Sequence, residues 1–255
     1  MPRSGRLCQS RIFIDQFEFT SSGGEIEVEF LLLIGCAVAP GIALMSFFYL
    51  RDRYDSEPLS LVGLLFFLGM LSTIPVMYLS DWLAQGMSSP YGRAFFAVAL
   101  VEELAKYILT ILIALRHREF DEEIDGIVYA VAASLGFATL ENIIKAMVLG
   151  WETVAIRAFF TVPGHALFGV AMGFYLGKAK FATSKKKRWL LFGGAFFYPW
   201  VFHGIYDSLL VSEQMAWIML IIPFMIFLWG LGMWKVRHAQ RRSPYKPMEE
   251  QVQDV

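Results

Sequence analysis

Six ionisable side chains interrupt runs that are otherwise apolar. Glu102 and Glu103 stand in VEELAKY, Glu141 in GFATLEN, His165 in VPGHALFG, and His203 with Asp207 in FYPWVFHGIYDS. A carboxylate and an imidazole around one water are the parts of general-base hydrolysis: one group takes the proton and a second donor steadies the oxyanion. A carboxylate partly removed from water gains basicity, which suits it to that task near neutral pH. Two histidines with acidic partners could instead hold zinc, through His165, His203, Glu141 and Asp207. The chain has no HExxH, no GxSxG and no Gly-rich phosphate loop, so the donors must come from separate elements.

Each cluster also has a purely local reading. Lys106 lies four residues after Glu102, so the two share a helix face and could be a register-fixing ion pair, with Glu103 turned about 100° away. Glu141 could pair with Lys145 one turn on, His203 with Asp207 likewise, and His165 could simply follow the Pro163–Gly164 turn. Phe137 and Asn142 flank Glu141 and are counted with Lys106 as supporting residues.

The elements that carry these residues are read from composition. Of 255 residues 56% are hydrophobic and only 18% charged, against about 25% charged in a soluble domain. The apolar residues fall in long runs, which marks a polytopic all-α membrane bundle. Seven spans are expected, near 30–50, 60–80, 92–115, 124–149, 157–177, 189–211 and 215–235. The fourth is weakened by Asp125, Glu141 and Lys145, and 150–161 reads as an interfacial helix leading into the fifth. Residues 1–29 form an extracytoplasmic tail, 30–236 the helical domain, and 237–255 a basic cytoplasmic tail suited to a membrane surface. Segment 12–19 alternates apolar and polar residues, as a short strand or an interfacial segment would, and no cleavable signal peptide is expected. The two cysteines, Cys8 and Cys36, form no metal or disulfide motif. Gly35, Gly41, Gly63 and Gly69 are read as helix-packing positions.

Lysine and arginine set the orientation. The loops 51–59, 116–123 and 178–188 and the C-terminal segment carry fifteen of them, and the opposite side five, so the N-terminus is expected outside and the C-terminus in the cytoplasm. At 1.5 Å per residue, Glu102 then lies roughly 15 Å below the outer surface, and Glu141, His165 and His203 each roughly 12 Å, with Asp207 nearer the surface. Four helices deliver polar groups to one layer. Such residues are costly in a bilayer unless they serve a site. A proton- or ion-coupled transporter is the competing use of buried Glu, Lys and His, but the layer sits at one depth and no inverted repeat is visible.

The ordered set EELAK, DGIVYAVAASLGFATLEN, PGHALFG and HGIYD, preceded by YLRDRYDSEP (Arg51, Asp52, Asp55, Glu57, Pro58), resembles the PrsW family of intramembrane proteases, related to the type II CAAX prenyl endopeptidases. The resemblance runs from about residue 36 to 235. It implies an endopeptidase of the cell membrane that cuts a membrane-anchored protein, such as an anti-sigma factor in stress signalling, on its extracytoplasmic side. It further implies that Glu102 or Glu103 is the base, that Glu141 and His165 position water, and that His203 with Asp207 holds the oxyanion. Glu141 stands where the CAAX branch has histidine, so its role there does not transfer directly. A glutamate mechanism without cofactor is favoured over a zinc one, and no nucleic-acid partner is expected. A scaffold that keeps the fold without catalysis is the other reading, against which the intact EE, H and HxxxD positions count.

Overall fold

The computed structural model describes residues 23–212, 215 and 219–247, with side chains described from residue 27; the alternating 12–19 segment lies outside these residues. Among the described residues the chain is helical, with no strand. Helix α1 spans Gly23–Tyr49 and α2 Leu59–Ala84. Helix α3 (Leu100–Ile113) continues a short turn at Pro90–Gly92 and a π-helical segment at Arg93–Ala99. Helix α4 spans Glu123–Leu149. Helix α5 (Val162–Lys180) comes after Trp151–Ile156 and a second π-helical segment, Arg157–Thr161. Helices α6 (Lys185–Leu210) and α7 (Ile221–Arg241) complete the bundle.

Four of these are long and apolar enough to cross a membrane: Glu27–Tyr49, Leu59–Ala84, Glu123–Leu149 and Trp151–Lys180. Of the other three, α3 is only 14 residues long, α6 opens on Lys-Lys-Lys-Arg, and α7 ends with Lys235, Arg237 and Arg241. The expected interfacial helix at 150–161 runs on without a break into α5. The π-helical segment takes up the irregularity immediately before Pro163, where a missing N–H would otherwise break the ladder. Helix α1 also begins before residue 30, and α7 continues past residue 236.

The interrupted fourth span is the axis of the molecule. Tyr129 through Ala138 are buried without a gap, while Leu31 and Ile42 of α1 and Phe67 and Tyr78 of α2 present apolar faces outward. Charge and small residues lower the hydropathy of α4, and both follow from its central place: polar groups need partners there, and small residues let neighbours approach. On the α5 side, a Cβ on Gly126 would lie 2.5 Å from the Gly173 carbonyl oxygen. On the α2 side, the added Cβ of Gly136 or Gly69 would collide with the opposing backbone. Gly41 of α1 is equally tight against Thr139. Gly35 and Gly63, expected to pack, face open space instead.

This contrast gives a direct test. Gly173→Val should lower the melting midpoint of the purified protein in detergent by several degrees or prevent folding, since helix backbones would have to separate. Gly63→Val should melt within about 1 °C of the parent.

Candidate active site

The side chains of α3 are the natural place to begin. Position 102 and position 103 differ by about 100° around a helix, yet both lie within reach of Lys106, at i+4 and i+3. Lys106 Nζ is 2.8 Å from Glu103 Oε1 and 3.3 Å from Glu102 Oε2. The ammonium is fully buried and lies 4.4 Å from the centre of the Phe137 ring of α4. So the pairing expected for Glu102 alone is shared, and Glu103 makes the shorter contact.

Helix α5 brings the third partner. Lys106 Nζ is 3.0 Å from His165 Nδ1. An ammonium only donates, so Nδ1 must accept and the ring proton belongs on Nε2. That nitrogen faces Glu141 Oε2 of α4 at 3.3 Å. Helix α6 closes the group from the far side. His203 Nδ1 lies 2.9 Å from Glu103 Oε1, and Nε2 lies 3.4 Å from Asp207 Oδ2 and 4.0 Å from Glu102 Oε2. Both imidazole nitrogens of His203 therefore face carboxylates. The Phe168 ring stacks on the same imidazole at 5.0 Å, and the two histidine rings meet edge to face at 5.1 Å. All six ionisable residues picked out from the sequence thus meet in one network of four helices.

Glu141 is not partnered by Lys145. Its partner is Arg157, whose Nη2 is 2.6 Å from Glu141 Oε2. Arg157 Nε also donates to Asn142 Oδ1 at 3.0 Å, and Asn142 Nδ2 donates to the Ala37 carbonyl oxygen of α1 at 2.7 Å. Asn142 therefore holds the guanidinium that holds Glu141. Arg157 counted as an outer-loop charge in the sequence, because it precedes the run that reads as a span. The π-helical segment that begins at Arg157 places it beside α4 instead. Tyr206 is a second unforeseen member: its hydroxyl bonds Thr161 Oγ1 at 3.0 Å, joining α6 to the same segment. A one-residue excess in the helical period was the missing signal, and no composition rule reveals it.

What can these groups hold? One donor atom from each of Glu102, Glu103, His165 and His203 lies within 4.8 Å of the others. This set differs from the His165, His203, Glu141 and Asp207 grouping, because Glu141 and Asp207 bond the outer nitrogens of the two rings. Two carboxylates and two imidazoles are zinc-type ligands. Lys106, however, already stands within 2.8–3.3 Å of three of the four. Its charge occupies the point at which these donors converge, and a dication beside it would meet direct repulsion. As arranged, the residues hold the Lys106 ammonium.

The two glutamates are held differently. Glu103 Oε1 is bound on two sides, by Lys106 and His203, while its Oε2 is buried without a hydrogen-bond partner. Glu102 is the more loosely held and the more accessible, at 6% exposure against zero.

A helical membrane bundle with such a buried Glu–Lys–His network has the construction of an intramembrane hydrolase. The comparison with known proteins agrees. Residues 57–232 match the family described as "PrsW family intramembrane metalloprotease". The chain is 46% identical over 225 residues to "Protease PrsW" of Geobacillus kaustophilus, covering 86% of this chain and 99% of that protein. It is 42% identical over 213 residues to its namesake in Bacillus subtilis (82% and 95%), and 31% identical over 216 residues to that of Clostridioides difficile (81% and 91%). No solved structure matches. The chain belongs to the PrsW family of intramembrane proteases and is a multi-pass protein of the cell membrane.

The Arg157–Glu141 pair is open to a clean measurement. Arg157→Met leaves a nearly buried carboxylate uncompensated and should destabilise the protein by about 3 kcal/mol in detergent. Arg157→Met with Glu141→Gln should recover most of that loss in a double-mutant cycle.

Proposed function

We propose that this chain is an endopeptidase that cuts a membrane-anchored protein near the extracytoplasmic face, using Glu102 as general base on a water molecule and no metal. The observation that carries the reading is the convergence of Glu102, Glu103, His165 and His203 around Lys106 within the bundle of a PrsW-family protease. In this reading the chain crosses the membrane seven times, with the N-terminus outside, the C-terminus cytoplasmic and the convergence in the outer half of the bilayer; the distribution of Lys and Arg supports this orientation.

Glu102 takes a proton from water, and the resulting hydroxide adds to the peptide carbonyl carbon. Negative charge passes to the carbonyl oxygen, to which His203 turns the N–H of Nε2 away from its longer contact with Asp207, 3.4 Å, while Nδ1 stays on Glu103 at 2.9 Å. When the tetrahedral adduct collapses, the C–N bond breaks and the proton on Glu102 passes to the leaving amine. Glu103 anchors Lys106 and His203, and Lys106 fixes the acceptor state of His165 Nδ1. Glu141 with Arg157 orients His165 from the other side. The substrate is proposed to be an anti-sigma factor, cut in the first step of a stress response; the family resemblance supports this choice.

Proteoliposomes containing the protein and a single-span substrate with an exposed outer segment supply the test. Glu102→Gln should lower the cleavage rate by about 10²–10⁴-fold while the melting midpoint stays close to that of the parent. Glu103→Gln should lower both, because Lys106 and His203 lose their shared anchor. A larger rate loss in a stably folded Glu103→Gln than in Glu102→Gln would reverse the two roles. Phenanthroline in magnesium buffer should leave cleavage intact; inhibition reversed by added zinc would overturn the metal-free mechanism. Proton flux without cleavage of any single-span substrate would overturn the protease reading altogether.

A further inference from the structure

A second group of carboxylates lies at the far end of α4, about 24 Å from Glu141 at 1.5 Å per residue. Asp52 and Glu57 come from the connection between α1 and α2, and Asp125 from the first turn of α4. All three are buried, with Asp52 at 4% and Asp125 at 0% exposure. One carboxylate oxygen from each lies within 4.8 Å of the others.

Acidic residues near a helix N-terminus are common, and Asp125 has an ordinary task there. Its Oδ2 accepts from the backbone N–H groups of Asp121 and Glu122 at 2.8 and 2.7 Å. Glu57 accepts from the Tyr129 hydroxyl. The rest of the group has no such explanation. Both carboxylate oxygens of Asp52 and the Oδ1 of Asp125 are buried without a hydrogen-bond partner. Lys180 lies within electrostatic reach of Asp125 and Glu57, but its Nζ bonds the His117 carbonyl oxygen at 3.2 Å, and Arg242 Nε bonds Glu123 at 2.8 Å. Buried carboxylate oxygens facing one another are a costly arrangement unless a shared proton or a bound cation stands between them, and titration with manganese separates the two.

We infer that Asp52, Glu57 and Asp125 form a binding site for a hard divalent cation, magnesium or calcium, separate from the catalytic network. The donors are all oxygens, the ligand chemistry of hard cations and not of zinc. Three oxygens within 4.8 Å of one another are close enough to share one cation, since that limit is about twice a calcium–oxygen distance of about 2.4 Å. The ion would tie the 51–58 connection to the start of α4. The connection is already held there from two other sides, where Tyr49 donates to the Glu57 carbonyl oxygen at 2.9 Å and Gln240 donates to that of Arg51.

The full-length protein in detergent, stripped with EDTA, can be titrated with manganese and followed by electron paramagnetic resonance. One tightly bound ion is expected in the parent and in His165→Ala, and none in Asp52→Asn. Calcium or magnesium should raise the melting midpoint of the parent by about 5 °C. Asp52→Asn should show no such rise. A parent that binds no manganese overturns the site, as does an Asp52→Asn variant that binds it unchanged. Binding lost in His165→Ala would move the ion to the catalytic network and equally overturn it.

Discussion

A lysine ammonium buried in the interior of a membrane bundle must be surrounded by acceptors, and this requirement organises the protein around Lys106. Unpaired, such a charge costs several kcal/mol or more in hydrocarbon. Two acceptors come from its own helix, since i+3 and i+4 both fall near it. A third must come from elsewhere, and His165 of α5 supplies it at 3.0 Å. Each acceptor then needs its own second partner. Glu103 finds His203 of α6, and His165 finds Glu141 of α4. The chain of obligations ends only where side chains reach partial exposure, at Asp207 and at Arg157. A half-satisfied version of this network would be worse than an apolar core, so the four helices are fixed relative to one another by it.

Holding ionic groups at 2.6–3.4 Å across helices demands that the backbones come close, and the small residues of α4 and α5 permit it. Gly126 faces Gly173, and Gly136 faces the Phe66 backbone of α2, so α4 is gripped from two sides. The two π-helical segments contribute differently. Each lies immediately before a helix that carries site residues, Arg93–Ala99 before Glu102 and Arg157–Thr161 before His165. An extra residue per turn rotates the succeeding helix about its axis, and it also keeps Arg157 on the α4 side. Packing sets the distance and the wide turns set the direction.

These two contributions differ in how well a sequence displays them. Misplaced charge is conspicuous in an apolar run, and a span length gives each charge a depth. Glu102, Glu141, His165 and His203 can therefore be assigned to one layer from residue order alone, and they do meet. Direction around a helix is less legible. Spacing pairs Glu141 with Lys145, since both lie on one face, whereas the real partner crosses from another element. Gly35 and Gly63 look like Gly41 and Gly69 in sequence, but the first pair faces open space. Which face of α1 or α2 turns inward depends on contacts with α4, and an all-round apolar helix shows no stripe from which to infer it. The charge that weakens α4 as a span is, in the folded bundle, the sign of its central position.

The two ends of α4 show what satisfaction of charge accomplishes. At Glu141 the carboxylate has cationic and imidazole neighbours, and the donors in that neighbourhood are themselves oriented by other groups. The result is a rigid network with one loosely held carboxylate, Glu102, at its more accessible edge. At Asp125 the count runs the other way, with buried oxygens from Asp52 and Asp125 that no described residue satisfies. Pre-oriented, mutually bonded groups suit proton transfer, because little need reorganise during the reaction. Donor-poor oxygens suit capture of a positive ion, because the ion brings the charge that the fold omits. The same helix thus meets a network with its own cations at one end and a donor-poor group at the other. The difference lies in whether the chain supplies its own cation: Lys106 and Arg157 in the first case, and in the second none hydrogen-bonded to the orphaned oxygens among the described residues.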